Sequence, residues 1–242
     1  GNYSPSNMTL HFWIGTEDSA YETGMIAGIL LNTTMWSALL RQVLLALVVS
    51  AIVGTCGMLI GYACVRRRGS RLSRIVESLA FFPYLMPFAT IYLAVATSAN
   101  FKFLYGTFGV LVLVASIKFL PFASRSGVNS MMQIAPEIEE AAVIFGVPWR
   151  TRMTRILFPI QKSSIISGYL LPVISVMREV ALFTLLVPYA RYLLTTMLFS
   201  FNETGYAQYG SAVTLLIILI IILINFVTNK LTGASFDKGI GG

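Results

Sequence analysis

Charge is scarce in this chain. Only 11% of its 242 residues are Asp, Glu, Lys or Arg, while 56% are hydrophobic. A soluble domain covers its surface with about a quarter charged residues. The composition therefore excludes an ordinary water-exposed globule and points to a multi-span membrane protein. Cysteine is as scarce. Cys56 and Cys64 fall in one apolar run, on one face of one helix. They cannot bridge each other there, and they show no metal-ligand spacing. Both read as small apolar packing residues. The single histidine, His11, makes neither a metal site nor a catalytic base by itself. Aspartate is confined to Asp18 and Asp237, outside any span, which argues against an intramembrane aspartyl protease. The sequence has no G-x-x-x-x-G-K-S/T phosphate loop, no H-E-x-x-H and no G-x-S-x-G. Nucleotide binding of the phosphate-loop kind must then sit on another chain, and no cofactor is expected on this one.

What is present is long apolar runs. Five spans are expected: Leu40 to Val65, Ile75 to Ser98, Thr107 to Ser130, Ser163 to Val187 and Tyr209 to Val227. Each reaches or approaches the ~20 residues a helix needs to cross a ~30 Å hydrocarbon core. The fold class read from this pattern is an all-α membrane protein. Its +7 formal charge does not suggest nucleic acid, because most of it sits in short tracts beside the apolar runs. Arg66, Arg67, Arg68, Arg71 and Arg74 separate spans one and two. Arg150, Arg152, Arg155 and Lys162 separate spans three and four, and Lys230 and Lys238 follow span five. The opposite loops carry only Lys102 and Arg191. Positive-inside logic puts the arginine loops and the C-terminus in the cytoplasm.

Five spans with a cytoplasmic C-terminus place Gly1 outside. Residues 1–24 are polar and contain no signal-peptide core, so an upstream membrane segment is expected to precede Gly1. The expected organisation is an extracytoplasmic segment and surface helix over 1–39, starting a helix at Asn32-Thr33-Thr34. A membrane domain follows over 40–232, with a polar loop over 133–160, then a flexible cytoplasmic tail over 233–242.

That loop holds the most specific pattern. Pro136 suits the first turn of a helix, where its missing N–H costs nothing. Glu137, Glu139 and Glu140 crowd the helix N-terminus, where negative charge complements the macrodipole. Ala141 and Ala142 are strong helix formers whose small side chains permit close approach by another surface. Gly146 is placed to end the helix in a left-handed conformation, and Pro148 prevents its continuation. A short basic helix with Trp149, Arg150, Arg152 and Arg155 then leads to Pro159 and span four. Without a partner, the same residues make an amphipathic surface helix.

The spacing Glu140-Ala141-Ala142-x3-Gly146-x9-Ile156-x-Phe158-Pro159 resembles the E-A-A-x3-G-x9-I-x-L-P loop of binding-protein-dependent ABC importer permeases, with Phe158 in place of the usual Leu. Leu120-Pro121-Phe122 with Arg125, and the Pro83/Pro87 pair, are also similar to that family. The resemblance implies a type I importer permease with a cytoplasmic coupling helix. It implies an ATPase-coupling role for Glu139, Glu140, Ala141, Ala142, Gly146, Ile156 and Pro159, with Glu140 meeting a basic group on the ATPase. The implied partners are a dimer of ABC ATPase subunits, a second permease half or subunit, an external solute-binding protein and membrane lipid. The implied location is a bacterial inner membrane. The chain itself would be a transport subunit and not an enzyme.

Lys118 lies mid-way along span three, and Arg178 and Glu179 lie in the outer half of span four. An ionisable group in a span costs at least ~2.5 kcal/mol, so these should face protein or water. A structural ion pair of Glu179 with Lys118 is one expectation. A Glu179 that lines the pathway and meets a cationic solute is the other. No metal site is expected. The outer segment and Met177-Arg178-Glu179 look most like the ferric-iron branch, with thiamine, phosphonate and polyamine importers as alternatives. An ATP-independent channel or secondary transporter would explain the spans and buried charges but not the loop spacing.

Overall fold

The computed structural model describes residues 9–16, 26–67, 69–85, 107–186 and 193–232. The described residues are helical, with no strand among them. In chain order the helices are α1 (His11–Ile14), α2 (Thr33–Arg66), α3 (Arg71–Leu85), α4 (Phe108–Met132) and α5 (Pro136–Ile144). Next come α6 (Trp149–Thr151), a π-helical turn (Arg152–Leu157) and α7 (Phe158–Ile160). The chain continues with α8 (Lys162–Met177), α9 (Ala181–Leu186), α10 (Leu194–Glu203) and α11 (Ala207–Thr232).

Among the described residues three helices are long and apolar enough to cross a membrane: α2, α4 and α11. A fourth span is counted if Trp149–Ile160 and Lys162–Met177 are taken together, but these meet at a bend of 86°. Pro159 falls at that bend and has no N–H to give to the preceding turn. The second expected span begins as helix α3, where the Ser70 hydroxyl oxygen accepts the Ser73 N–H at 3.0 Å, a helix start of the usual kind. Residues 86–106, including Pro87, lie outside the described residues.

The fourth expected span needs correction. It is not one helix from Ser163 to Val187. Helix α8 ends at Met177, Arg178 to Val180 are non-helical, and α9 restarts at Ala181. Arg178 and Glu179 therefore do not sit on a continuous helix. The chemistry of the break is visible: Glu179 Oε1 accepts the Leu182 N–H at 2.9 Å, which serves one of the orphan donors at the start of α9.

The chain divides into two compact units. The first comprises Gly1–Leu44 and Met177–Ile221. Its core contains Ile29, Met35, Ala38, Leu194, Met197 and Tyr209, all buried. Asn32 starts α2 as expected, its Oδ1 accepting the Thr34 N–H at 3.0 Å and the Met35 N–H at 3.3 Å. No separate surface helix follows, because α2 runs unbroken for 34 residues, about 51 Å at 1.5 Å per residue. The Tyr209 hydroxyl donates to the Ile26 carbonyl, and its ring meets Phe12 edge-on at 5.1 Å. These contacts tie Phe12 and Ile26 to the start of α11. Gln42 is fully buried, and its Oε1 accepts from the Thr195 hydroxyl at 3.3 Å.

The second unit comprises Leu45–Val176 and Ile222–Gly242. Here α2 and α4 cross with almost nothing between their backbones. Gly57 packs on the Ala123 backbone, and Gly61 on the Gly127 backbone. Helices in lipid lack a hydrophobic drive to associate, so close backbone approach through small residues supplies the contact. Polar side chains add to it. The Ser50 hydroxyl donates to the Tyr169 carbonyl at 2.5 Å, the Thr55 and Tyr169 hydroxyls lie 2.9 Å apart, and Ser130 donates to Gln161. At one end, Met131, Ile134, Met153 and Leu157 form a small buried cluster under the loop.

Candidate functional site

The loop that joins α4 to α8 lies wholly in the second unit, and its local structure follows from its sequence. Pro136 occupies the first turn of α5, with Glu137 and Glu139 also in that turn. Gly146 ends the helix with φ +68°. Its N–H reaches the Val143 carbonyl at 2.9 Å, and the Val147 N–H reaches the Ala142 carbonyl at 3.0 Å. Together these two bonds make a Schellman closure, which needs the left-handed residue that glycine supplies without strain.

Two opposite faces result. Inward, Glu139 and Ala142 are buried. Outward, Glu140 and Ala141 are exposed. Ile144 and Phe145 are 83% and 84% exposed, flanked by Ile138, Val143 and Trp149. This open apolar cluster lies on the side of α5 opposite the buried Glu139 and Ala142.

The inward face carries charge. Glu139 Oε2 lies 3.0 Å from Arg66 Nε, and Glu139 Oε1 lies 3.7 Å from Arg152 Nε. The Tyr62 hydroxyl donates to Glu139 Oε1 at 2.6 Å. Arg66 also donates to the Ile134 carbonyl at 3.3 Å, just before α5, and Arg152 to the Val147 carbonyl at 3.3 Å, just after it. The Tyr62 ring meets Trp149 edge-on at 6.1 Å. A cavity of 710 Å³ opens beside the cluster, lined in part by Tyr62, Arg66, Met131, Glu139, Glu140 and Arg152.

The residues expected to act in coupling therefore separate by burial. Glu139 and Ala142 belong to the interior, while Glu140 and Ala141 face outward. Ile156 is half-buried at the π-helical turn, and Pro159 is exposed at the bend. Tyr62, Arg66 and Arg152 were not expected as parts of this site. Arg66 and Arg152 read in the sequence only as positive-inside charges. The available signal is the four-residue step from Tyr62 to Arg66, which puts both on one helix face.

Lys118, Arg178 and Glu179, expected within spans, take different places. Lys118 is half-buried on α4, its Nζ 5.7 Å from the centre of the Phe119 ring. Arg178 is exposed and Glu179 half-buried at the break before α9. Among the described residues no group of His, Cys, Asp and Glu side chains is arranged to hold a metal ion.

Comparison with known proteins gives this arrangement a family. Residues 54–235 match the family model described as binding-protein-dependent transport system inner membrane component. The chain is similar to the phosphate transport system permease protein PstA 1 of Mycobacterium tuberculosis (strain CDC 1551 / Oshkosh). Identity is 26% over 247 residues, covering 90% of this chain and 80% of that protein. It is similar to the phosphate transport system permease protein PstA of Mycobacterium leprae, 32% identical over 118 residues, covering 48% of this chain and 38% of that one. Among solved structures it resembles a chain of the MetNI methionine ABC transporter in an inward-facing conformation. There the TM-score is 0.62 at 19% identity, covering 84% of this chain and 98% of the other. The chain belongs to the family of binding-protein-dependent transport system inner membrane components, the permease subunits of ABC importers.

Proposed function

We propose that the loop over 133–160 is the coupling element of this permease, and that a separate ATPase drives transport by gripping α5. The observation that carries this reading is the outward face of α5. Ile144 and Phe145 stand in the open beside Glu140, at the end of a helix whose inner face is pinned by Glu139. Apolar anchors with a charge at the rim are what a partner groove recognises. The arginine tracts put this face in the cytoplasm, where an ATPase resides. A dimer of such ATPases, a second permease half or subunit and an external solute-binding protein complete the machine. The C-terminus is cytoplasmic and Gly1 lies on the outer side. Co-purification with an ABC ATPase from the same cells tests the reading. Retention of the ATPase by a Phe145→Asp variant at wild-type levels would remove it.

The cargo we propose is phosphate or a similar oxyanion. The support is the two relatives named above, both phosphate transport permeases. The ferric-iron expectation has no support among them. Uptake of radiolabelled phosphate and of radiolabelled ferric iron, in cells with and without the gene, separates the two.

A further inference from the structure

Glu139 is the one coupling-helix carboxylate that is buried, and it sits between two cations that belong to different segments. Arg66 closes α2. Arg152 opens the π-helical turn. Each is tethered elsewhere, to the Ile134 and Val147 carbonyls, on either side of α5. The carboxylate is nearer Arg66, at 3.0 Å, than Arg152, at 3.7 Å. Yet Arg66 Nε, Arg152 Nε and Glu139 Oε2 are buried atoms that make no hydrogen bond. The two arginines hold the carboxylate by charge alone, while its one directional bond is the one that Oε1 accepts from the Tyr62 hydroxyl at 2.6 Å. Buried charges fixed in one place normally gain aligned hydrogen bonds as well. Here the three atoms that face one another lack them, and beside a 710 Å³ cavity the carboxylate has room to shift and a second arginine to shift to. A π-helical turn at the Arg152 end adds a segment that can rewind locally.

We infer that Glu139 is the pivot of a two-arginine latch. Its carboxylate moves from Arg66 toward Arg152 as the coupling helix is displaced. The shift exchanges a tie between α5 and α2 for a tie between α5 and the turn that leads into α8. Glu139 is a positioning residue in this scheme and does not touch solute or nucleotide. The inference rests on the coupling role proposed above for the loop. It goes further in assigning the inner face of α5 a switching function.

The test uses the complete transporter, with its ATPase, in lipid nanodiscs, and reads MgATP hydrolysis with the thermal midpoint as control. Arg152→Gln leaves only the Arg66 position and should slow hydrolysis by about fivefold or more. Arg66→Gln leaves only the Arg152 position and should speed it by a similar factor, the lower end of ordinary coupling strengths. Glu139→Gln should erase the difference, so that adding either arginine substitution changes the rate no further. If Glu139→Gln does not assemble, Glu139→Asp keeps the charge with a shorter reach. It should then lie on the Arg152→Gln or the Arg66→Gln side, away from wild type. Arginine variants that retain the ATPase and move the rate in the same direction, or not at all, would show a static clamp and overturn the latch. If the wild-type chain binds no ATPase, the coupling reading falls first and takes the latch with it.

Discussion

A single methyl group at Gly57 should disrupt the crossing of α2 and α4. A Cβ built there lies 2.6 Å from the carbonyl carbon and oxygen of Ala123, against 3.4 Å for ordinary contact, a shortfall of 0.8 Å. The obstacle is backbone, so no side chain can rotate away. The helices must part, and a gap of 0.5–1 Å already forfeits roughly a quarter to a half of the dispersion attraction along the seam. Overpacking of this kind costs about 1–3 kcal/mol. The intrinsic helix preference of alanine over glycine returns at most ~1 kcal/mol. Gly109, on α4, is the control, because nothing lies within 4 Å of its would-be Cβ. There Gly→Ala carries the helix preference alone. The two variants should differ by about 2 kcal/mol, roughly a thirtyfold difference in the folded-to-unfolded ratio. Thermal or SDS-induced unfolding of the purified chain reads this directly. Equal stability of Gly57→Ala and Gly109→Ala would refute the close crossing.

Glu140→Lys should abolish ATPase binding while leaving stability within ~0.5 kcal/mol, because the side chain is exposed; pull-down beside a melting curve checks both halves. Gly146→Ala should cost about 1–2 kcal/mol through backbone strain alone, since φ is +68° and open space surrounds the site. Gly146→Asn, read by the same melting curve, should cost less. Glu179→Gln keeps an oxygen to accept the Leu182 N–H, so assembly should be normal and stability within ~1 kcal/mol. Lost uptake in that variant marks a pathway role, and unchanged uptake eliminates one.

The long helices were legible because lipid imposes a simple rule: around twenty apolar residues between polar loops. The closure of α5 was legible too, since Pro136 and Gly146 each have one conformational use where they stand. The break at Arg178 to Val180 was not. Hydropathy averages over a window and cannot tell a continuous helix from two that meet at a charged turn. The Glu139 cluster was hidden for another reason. Glu139 and Glu140 are chemically identical neighbours, and only packing decides which one turns inward. Tyr62, 77 positions from Glu139, meets it through a tertiary contact that local pattern cannot supply. The ferric-iron reading drew on short stretches of outer loop and span four, whereas similarity to the phosphate permease of M. tuberculosis extends over 90% of the chain.

The interruption between α8 and α9 also bears on where lipid can be. Hydrocarbon offers no partner to a main-chain amide that has left its helix, so a stretch like Arg178 to Val180 is tolerated at depth only against protein or water. Wherever that stretch meets the hydrocarbon layer, acyl chains cannot be its seal. Amide protons there should exchange with solvent much faster than those in the middle of α2, and a polar reagent too large to enter the bilayer should still find them.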